Sequence, residues 1–410
     1  MEQKSKRYHG FDALRSSMLL LGVFLHVSLS YFPNQPGMRD PGRWYFYDNA
    51  ESWLAVVFYV PVHIYRLPIF FVLAGFFTLL LISRRSLKTM VINRLQRVAL
   101  PLILAILVLL PLMHAATRFA CLQPGSAIMT SYGRNDVWHF LWNDLHYLWF
   151  LWHLLLLCLI TAVAGQLLQN ANHRLQDTVR HLGEFMVCSR VGIGVLVVLT
   201  TLLNIKMQPW PGFVETNTTY IPAGHVLAAY GVYFFYGLAL YANRQVLDQI
   251  ALRPWRCLTI GVVLLAVYGM LLLAHMQQNT EVVWMPLVLA SVSAVAGWAM
   301  IWGVMGVAIR YCQQPNAVIR YVADSSYWVY LAHMPVLFLV QGWLAPLDVT
   351  GMAKLCYASA LTMTICMISY QLLVRDTAIG VLLNGRRHPA SPILPRLPSQ
   401  SPPSILESAD

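Results

Sequence analysis

Charge is scarce in this sequence: Asp, Glu, Lys and Arg make up 11% of its 410 residues, against roughly 25% in an ordinary soluble protein. A water-facing surface for so long a chain needs far more. A soluble enzyme and a disordered hub are therefore excluded. Cysteine is sparse and unpatterned. The seven, at 121, 158, 188, 257, 312, 356 and 366, contain no CxxC pair, which removes a disulfide-framed secreted domain. There is no HExxH either, so no metal-ligand spacing stands out and no metal is expected. The first apolar run does not read as a cleaved signal, because it carries Asp12, Arg15 and His26 with no small-x-small site after it.

Apolar sequence is what the chain has instead, at 58% hydrophobic residues. Ten stretches read as membrane-crossing helices, at about 12–32, 56–82, 98–115, 146–169, 191–206, 225–242, 258–275, 285–309, 323–343 and 353–375. The fold class is all-α, a polytopic bundle. Seventeen acids against 28 Lys and Arg give a formal charge of +11. With the N-terminus inside, 20 Lys and Arg fall on the inner segments and six on the outer ones, which predicts that both termini are cytoplasmic. The basic balance is thus mostly topogenic; the bilayer is the expected partner and nucleic acid is not. The domain reading is a short cytoplasmic segment at 1–11, a membrane domain at 12–376, and a Pro/Ser-rich disordered tail at 377–410. Aromatic runs such as Trp44-Tyr45-Phe46-Tyr47 suit a membrane interface.

A charge inside a span costs about 2.5–3.5 kcal/mol on insertion scales, so each one is a candidate functional residue. Arg15 and His26 in the first span lie eleven steps apart, which brings them within about 20° of one stripe and about 16 Å apart along the helix. Asp12 falls near the same stripe. The competing account is an Asp12–Arg15 ion pair and a hydrogen-bonded core histidine. A histidine on such a stripe is a natural proton acceptor near neutral pH. Arg94 and Arg97, three apart, open the third span, where two guanidiniums and a helix N-terminus favour phosphate. Topogenic charge competes there, more fully for Arg84, Arg85 and Lys88 than for that pair. Lys88 is kept with Arg94 and Arg97 as a candidate cofactor-binding cation. His333 in the ninth span is placed to meet His26 at similar depth. Arg66, in the outer half of span two, either snorkels to the interface or binds an anion. His146 and His153 share a face and read as structural.

Arg15-x10-His26, Arg94-x-x-Arg97, the Phe70-Phe-Val-Leu-Ala-Gly-Phe-Phe77 run and Tyr330-Leu-Ala-His333-Met-Pro335 together resemble the acyltransferase-3 family of bacterial inner-membrane proteins, over about residues 8–375. The resemblance implies O-acyl transfer, of a succinyl or acetyl group, from cytoplasmic acyl-coenzyme A to hydroxyls of a periplasmic or surface glycan, of the osmoregulated periplasmic glucan type. It makes His26 and Arg15 the essential pair and Arg94 with Arg97 the carrier-phosphate site. One departure is Ala74, where many members have Ser before the glycine, so any role of that hydroxyl is missing here.

On this reading His26 acts as general base, or briefly takes the acyl group, while His333 orients it or polarises the thioester. Arg66 is the candidate substrate-binding cation for the free carboxylate of a succinyl group. The rival class is a ten-helix secondary transporter of an anionic metabolite, with Arg and His forming an anion or proton path. Such transporters show paired broken helices in two related halves, and no such symmetry is evident here.

Overall fold

The computed structural model describes residues 8–35, 38–39, 44–128, 137–277 and 282–385. About four-fifths of them are helical. The chain runs α1 (His9–Leu29), a two-residue strand β1 (Tyr47–Asp48), α2 (Trp53–Arg84), α3 (Leu87–Arg94) and α4 (Leu100–Cys121). Strand β2 (Ser126–Ile128), α5 (Val137–Asn143), α6 (Trp149–Gln169), α7 (His173–Cys188) and α8 (Arg190–Asn204) follow. The second half holds α9 (Gly224–Ala242), α10 (Val246–Leu252), α11 (Pro254–Gln277), α12 (Met285–Tyr311), α13 (Ala317–Leu344), α14 (Gly351–Ser369) and α15 (Ala378–Asn384).

Among the described residues, eight helical segments are long and apolar enough to cross a membrane, and nine if α7 and α8, bent by 89°, make one span. The remaining expected span is α13. It is 28 residues long and packs against α1, α4 and α14, but His333, Gln341 and its charged start lower its apolarity. The chain is a multi-pass membrane protein. Three helices, α2, α4 and α13, lose a rung of their N–H ladder at a proline inside a span, and one consequence reaches the site. Pro335 cannot bond back to Leu331, and the Tyr147 hydroxyl donates to that freed carbonyl at 2.7 Å. Where α2 crosses α9, a Cβ on Gly75 would collide with the Phe234 carbonyl and one on Gly237 with that of Val72. Only glycine permits so close a crossing.

Apolar packing forms two cores. One joins Phe11, Leu14 and Met18 of α1 to α2, α9 and α12. The other joins Val23 and Val27 of α1 to α4, α13 and α14. Helix α1 belongs to both, and its polar stripe faces the space between them.

Two expectations need correction. Trp44, Tyr45, Phe46 and Tyr47 do not form an interfacial belt. They are buried, because the segment folds inward and β1 pairs antiparallel with β2. The disordered tail does not begin at 377. Residues 378–384 form α15, with Gly380 and Leu383 buried, since Ala378-Ile-Gly-Val-Leu-Leu383 supplies an apolar face. The Pro/Ser-rich residues from 386 onward lie outside the described residues.

Candidate functional site

One cavity of about 970 Å³ runs through the seam between the two cores. Its basic end is walled by Arg15, Arg94, Arg97 and Asp324, with Leu383 and Asn384 of α15 beside them. Its middle holds His26, Arg66 and His333, and its other end is lined by Trp44, His63 and Phe213. Six of the eight sequence-derived candidates therefore share one space. Asp12 and Lys88 do not line it. Lys88 lies on the exposed face of α3, because the short loop before α3 turns that face to solvent.

At the basic end Arg15 lies 3.8 Å from Asp12 across one helical turn and donates to the Ala323 carbonyl at 3.0 Å. Asp12 itself does not line the cavity, but its partner Arg15 does. Arg94 precedes and Arg97 lies within a π turn at Leu95–Ala99 between α3 and α4, the kind of helix irregularity that recurs at functional sites. Arg94 donates to Thr78 Oγ1 at 3.0 Å, which fixes one arm, while its Nε is buried without a partner. The Arg97 guanidinium lies against Gly385, whose φ of +75° ends α15 and where no Cβ would fit. The Arg97 carbonyl accepts from Tyr327 at 2.8 Å.

In the middle, the imidazoles of His26 and His333 meet with ring centroids 5.3 Å apart. His333 Nδ1 lies 2.7 Å from the Tyr330 carbonyl and 3.1 Å from that of Val329. Carbonyls only accept, so Nδ1 carries the proton and Nε2 the lone pair. The Tyr147 ring meets His333 edge-on at 5.6 Å, so the proline-freed carbonyl indirectly seats the second histidine. His26 stacks on Trp44 at 5.9 Å with the planes 8° apart, and its Nδ1 is buried without a partner.

Arg66 does not snorkel. It is 8% exposed, its Nε has no hydrogen-bond partner, and no described carboxylate pairs with it. Room for it comes from Gly22 on α1, where any Cβ would strike the Arg66 guanidinium. Side chains on a helix lean toward its N-terminus, so the His26 ring also reaches back toward the Gly22 turn. The cation and the imidazole therefore approach one patch of α1.

Sequence reading missed His63, Trp44, Tyr147 and the loop at 205–223. His63 Nε2 donates to the Val214 carbonyl at 2.8 Å, and its ring stacks on Phe213 at 3.8 Å. Its signal was present: Tyr59, His63, Arg66 and Phe70 follow helical spacing on one face of α2. Trp44 and Val214 belong to loops, where spacing carries no such signal. His146 lines the cavity but is satisfied, accepting from or donating to Tyr45 Oη at 3.0 Å and bonding the Phe140 carbonyl at 2.7 Å. His153 bonds the Trp149 carbonyl at 3.0 Å. Among the described residues, no group of three or more His, Cys, Asp or Glu side chains is placed to hold a metal ion.

No solved structure matches the chain. Curated proteins do. Glucans biosynthesis protein C of Escherichia coli (strain K12) is 23% identical over 404 residues, covering 93% of this chain and 95% of that protein. The proteins of the same name from Shigella dysenteriae serotype 1 (strain Sd197) and Salmonella schwarzengrund (strain CVM19633) are each 22% identical at the same coverage. The family profile described as an acyltransferase domain matches residues 8–371. With basic mouth, paired histidines and one shared cavity on one side and that match on the other, the chain belongs to the acyltransferase-3 family and is an acyltransferase.

Proposed function

We propose that this acyltransferase moves a succinyl or acetyl group from acyl-coenzyme A to a glycan hydroxyl, with the donor entering from the cytoplasm at the basic mouth. The acceptor, a periplasmic or surface glycan, enters at the opposite end, and the protein resides in the bacterial inner membrane with both termini cytoplasmic. The relatives named for glucan biosynthesis favour an osmoregulated periplasmic glucan as acceptor.

The observation that carries this reading is the continuity of one cavity from Arg94 and Arg97 to the His26–His333 pair. Arg94 and Arg97 hold the donor's phosphates. The donor's arm passes Arg15, which Asp12 orients, and brings the thioester to the histidines. His26 takes the proton of the acceptor hydroxyl as its oxygen attacks the thioester carbon. The C–S bond then breaks, and the departing thiolate recovers that proton. The lone pair on His333 Nε2 faces the same step, orienting His26. Arg66 holds the free carboxylate of a succinyl group, which supplies a counter-ion that none of the described carboxylates provides.

The transporter alternative needs a solute to cross unchanged. Purified protein in liposomes, given labelled acyl-coenzyme A and glycan, should form a glycan ester; solute uptake without ester would overturn the enzymatic reading. Mass spectrometry of periplasmic glycans from a strain lacking the protein identifies the acyl group.

A further inference from the structure

The segment at 44–48 lines one end of the cavity, and its buried polar groups are tied, directly or through Ser30 and Gln341, to α1, α13 and α14. Trp44 is 5% exposed. Its indole N–H donates to Ser30 Oγ at 2.8 Å, and that hydroxyl donates to Gln341 Oε1 at 3.0 Å. Gln341 Nε2 in turn donates to the Val27 carbonyl of α1 at 3.3 Å. The relay thus returns to the helix that carries His26, one residue beyond it. The strand is fixed separately. Asp48 N–H donates to the Ser30 carbonyl at 2.9 Å. The Asp48 carboxylate, 0% exposed, receives Lys354 Nζ at 2.9 and 3.1 Å, and the same ammonium donates to the Ala345 carbonyl at 2.8 Å. One buried ion pair therefore ties the strand to the end of α13 and the start of α14.

A buried ion pair is costly to assemble and gives little net stability compared with apolar packing. Its benefit is a single geometry. That geometry presents the indole face parallel to the His26 imidazole, with ring centroids 5.9 Å apart. A histidine with two rigid neighbours, the Trp44 indole and the His333 ring at 5.3 Å, keeps one ring plane. A free imidazole on a helix does not.

We propose that Trp44 is a positioning residue for His26, held by the Ser30–Gln341 relay and the Asp48–Lys354 pair, so that the 44–48 segment sets the plane of the reacting imidazole. The proposal rests on the functional reading above for its kinetic test and has a second test that does not. A misplacement of this kind costs on the order of 100-fold in rate.

The kinetic test compares wild type, W44L and W44F in liposomes, varying donor and glycan separately. W44L removes the aromatic plane and should lower kcat about 100-fold with the donor KM within about twofold. W44F keeps a stacking ring and should retain most of the rate. Equal loss in both variants, or none in W44L, overturns the proposal. If wild type itself makes no ester, the functional reading has failed, and the second test decides alone. Carbethoxylation of His26 by diethylpyrocarbonate, followed by peptide mass spectrometry without substrates, should be several-fold faster in W44L than in wild type and W44F. Equal rates overturn the proposal whatever the activity. Should W44L not elute as a folded species, Ser30→Ala, which removes the acceptor of the indole N–H and the donor to Gln341 while keeping the Trp44 ring, takes its place in both tests with a smaller shift in the same direction.

Discussion

The two ends of the cavity are built by opposite means. At the basic end, Arg15, Arg94, Arg97 and Asp324 stand on regular or nearly regular helices. Arg15 is 40% exposed, and an exposed Arg15–Asp12 contact of this kind contributes little to stability. At the other end, loops carry the groups, and they are buried in pairs: Asp48 with Lys354, Trp44 with Ser30, Tyr45 with His146. An entrance for a charged donor needs cations on a frame and tolerates water. A wall beside a thioester must keep water away from everything except the acceptor, and that requires polar groups that satisfy one another. The proposed reaction centre, His26 with His333, sits where the two designs meet.

The largest effect that would sharpen this contrast is at the meeting point. His26→Ala should abolish glycan acylation, by more than about 1,000-fold, while the protein still elutes from detergent as a folded species. Retained activity would remove His26 from the reaction. Next comes the buried end. Lys354→Met leaves Asp48 charged without a partner and should destabilise the protein by about 3–5 kcal/mol, read as lower thermal stability in detergent. The double variant D48N/K354M should recover much of that loss. A similar change at the basic end, Asp12→Asn, should cost well under about 1 kcal/mol. Equal costs at both ends would break the comparison.

Arg66 lies between the two. Arg66→Leu should shift preference from succinyl to acetyl donors and raise thermal stability, because it removes an unpaired buried cation. Gly22→Ala should produce the same change in donor preference, since its methyl displaces the guanidinium. If neither variant alters donor choice, Arg66 does not hold the acyl carboxylate. The smallest effects are at the basic mouth. Arg94→Gln and Arg97→Gln should each raise the donor KM about tenfold without changing acceptor choice, and Lys88→Gln should change neither. An unaltered donor KM would return the pair to topology alone.

The same contrast explains what could be read from sequence. Charge within long apolar helices is expensive and periodic, so Arg15 and His26 could be aligned from spacing and His333 placed at a similar depth, and the structure does bring the two histidines together. Helix ends were close as well: the expected 285–309 span is Met285–Tyr311. Lys88 was included because charge density does not reveal which face of a short helix a residue occupies. Trp44 was read as interfacial because an aromatic run beside an apolar span has that composition whether it lies on lipid or folds inward. What turned it inward was Lys354, some 300 residues away, and such pairings have no local trace. His63 is a different case: its helical spacing to Arg66 was visible and was passed over.

The central claim is that one reaction centre serves two compartments. The direct measurement uses liposomes of defined protein orientation, with a membrane-impermeant acyl-coenzyme A on the side of Arg94 and Arg97 and the glycan on the other. The account predicts ester on the glycan, formed at the wild-type rate only with the substrates on opposite sides and absent with His26→Ala. Ester that forms only when both substrates share one side would contradict it.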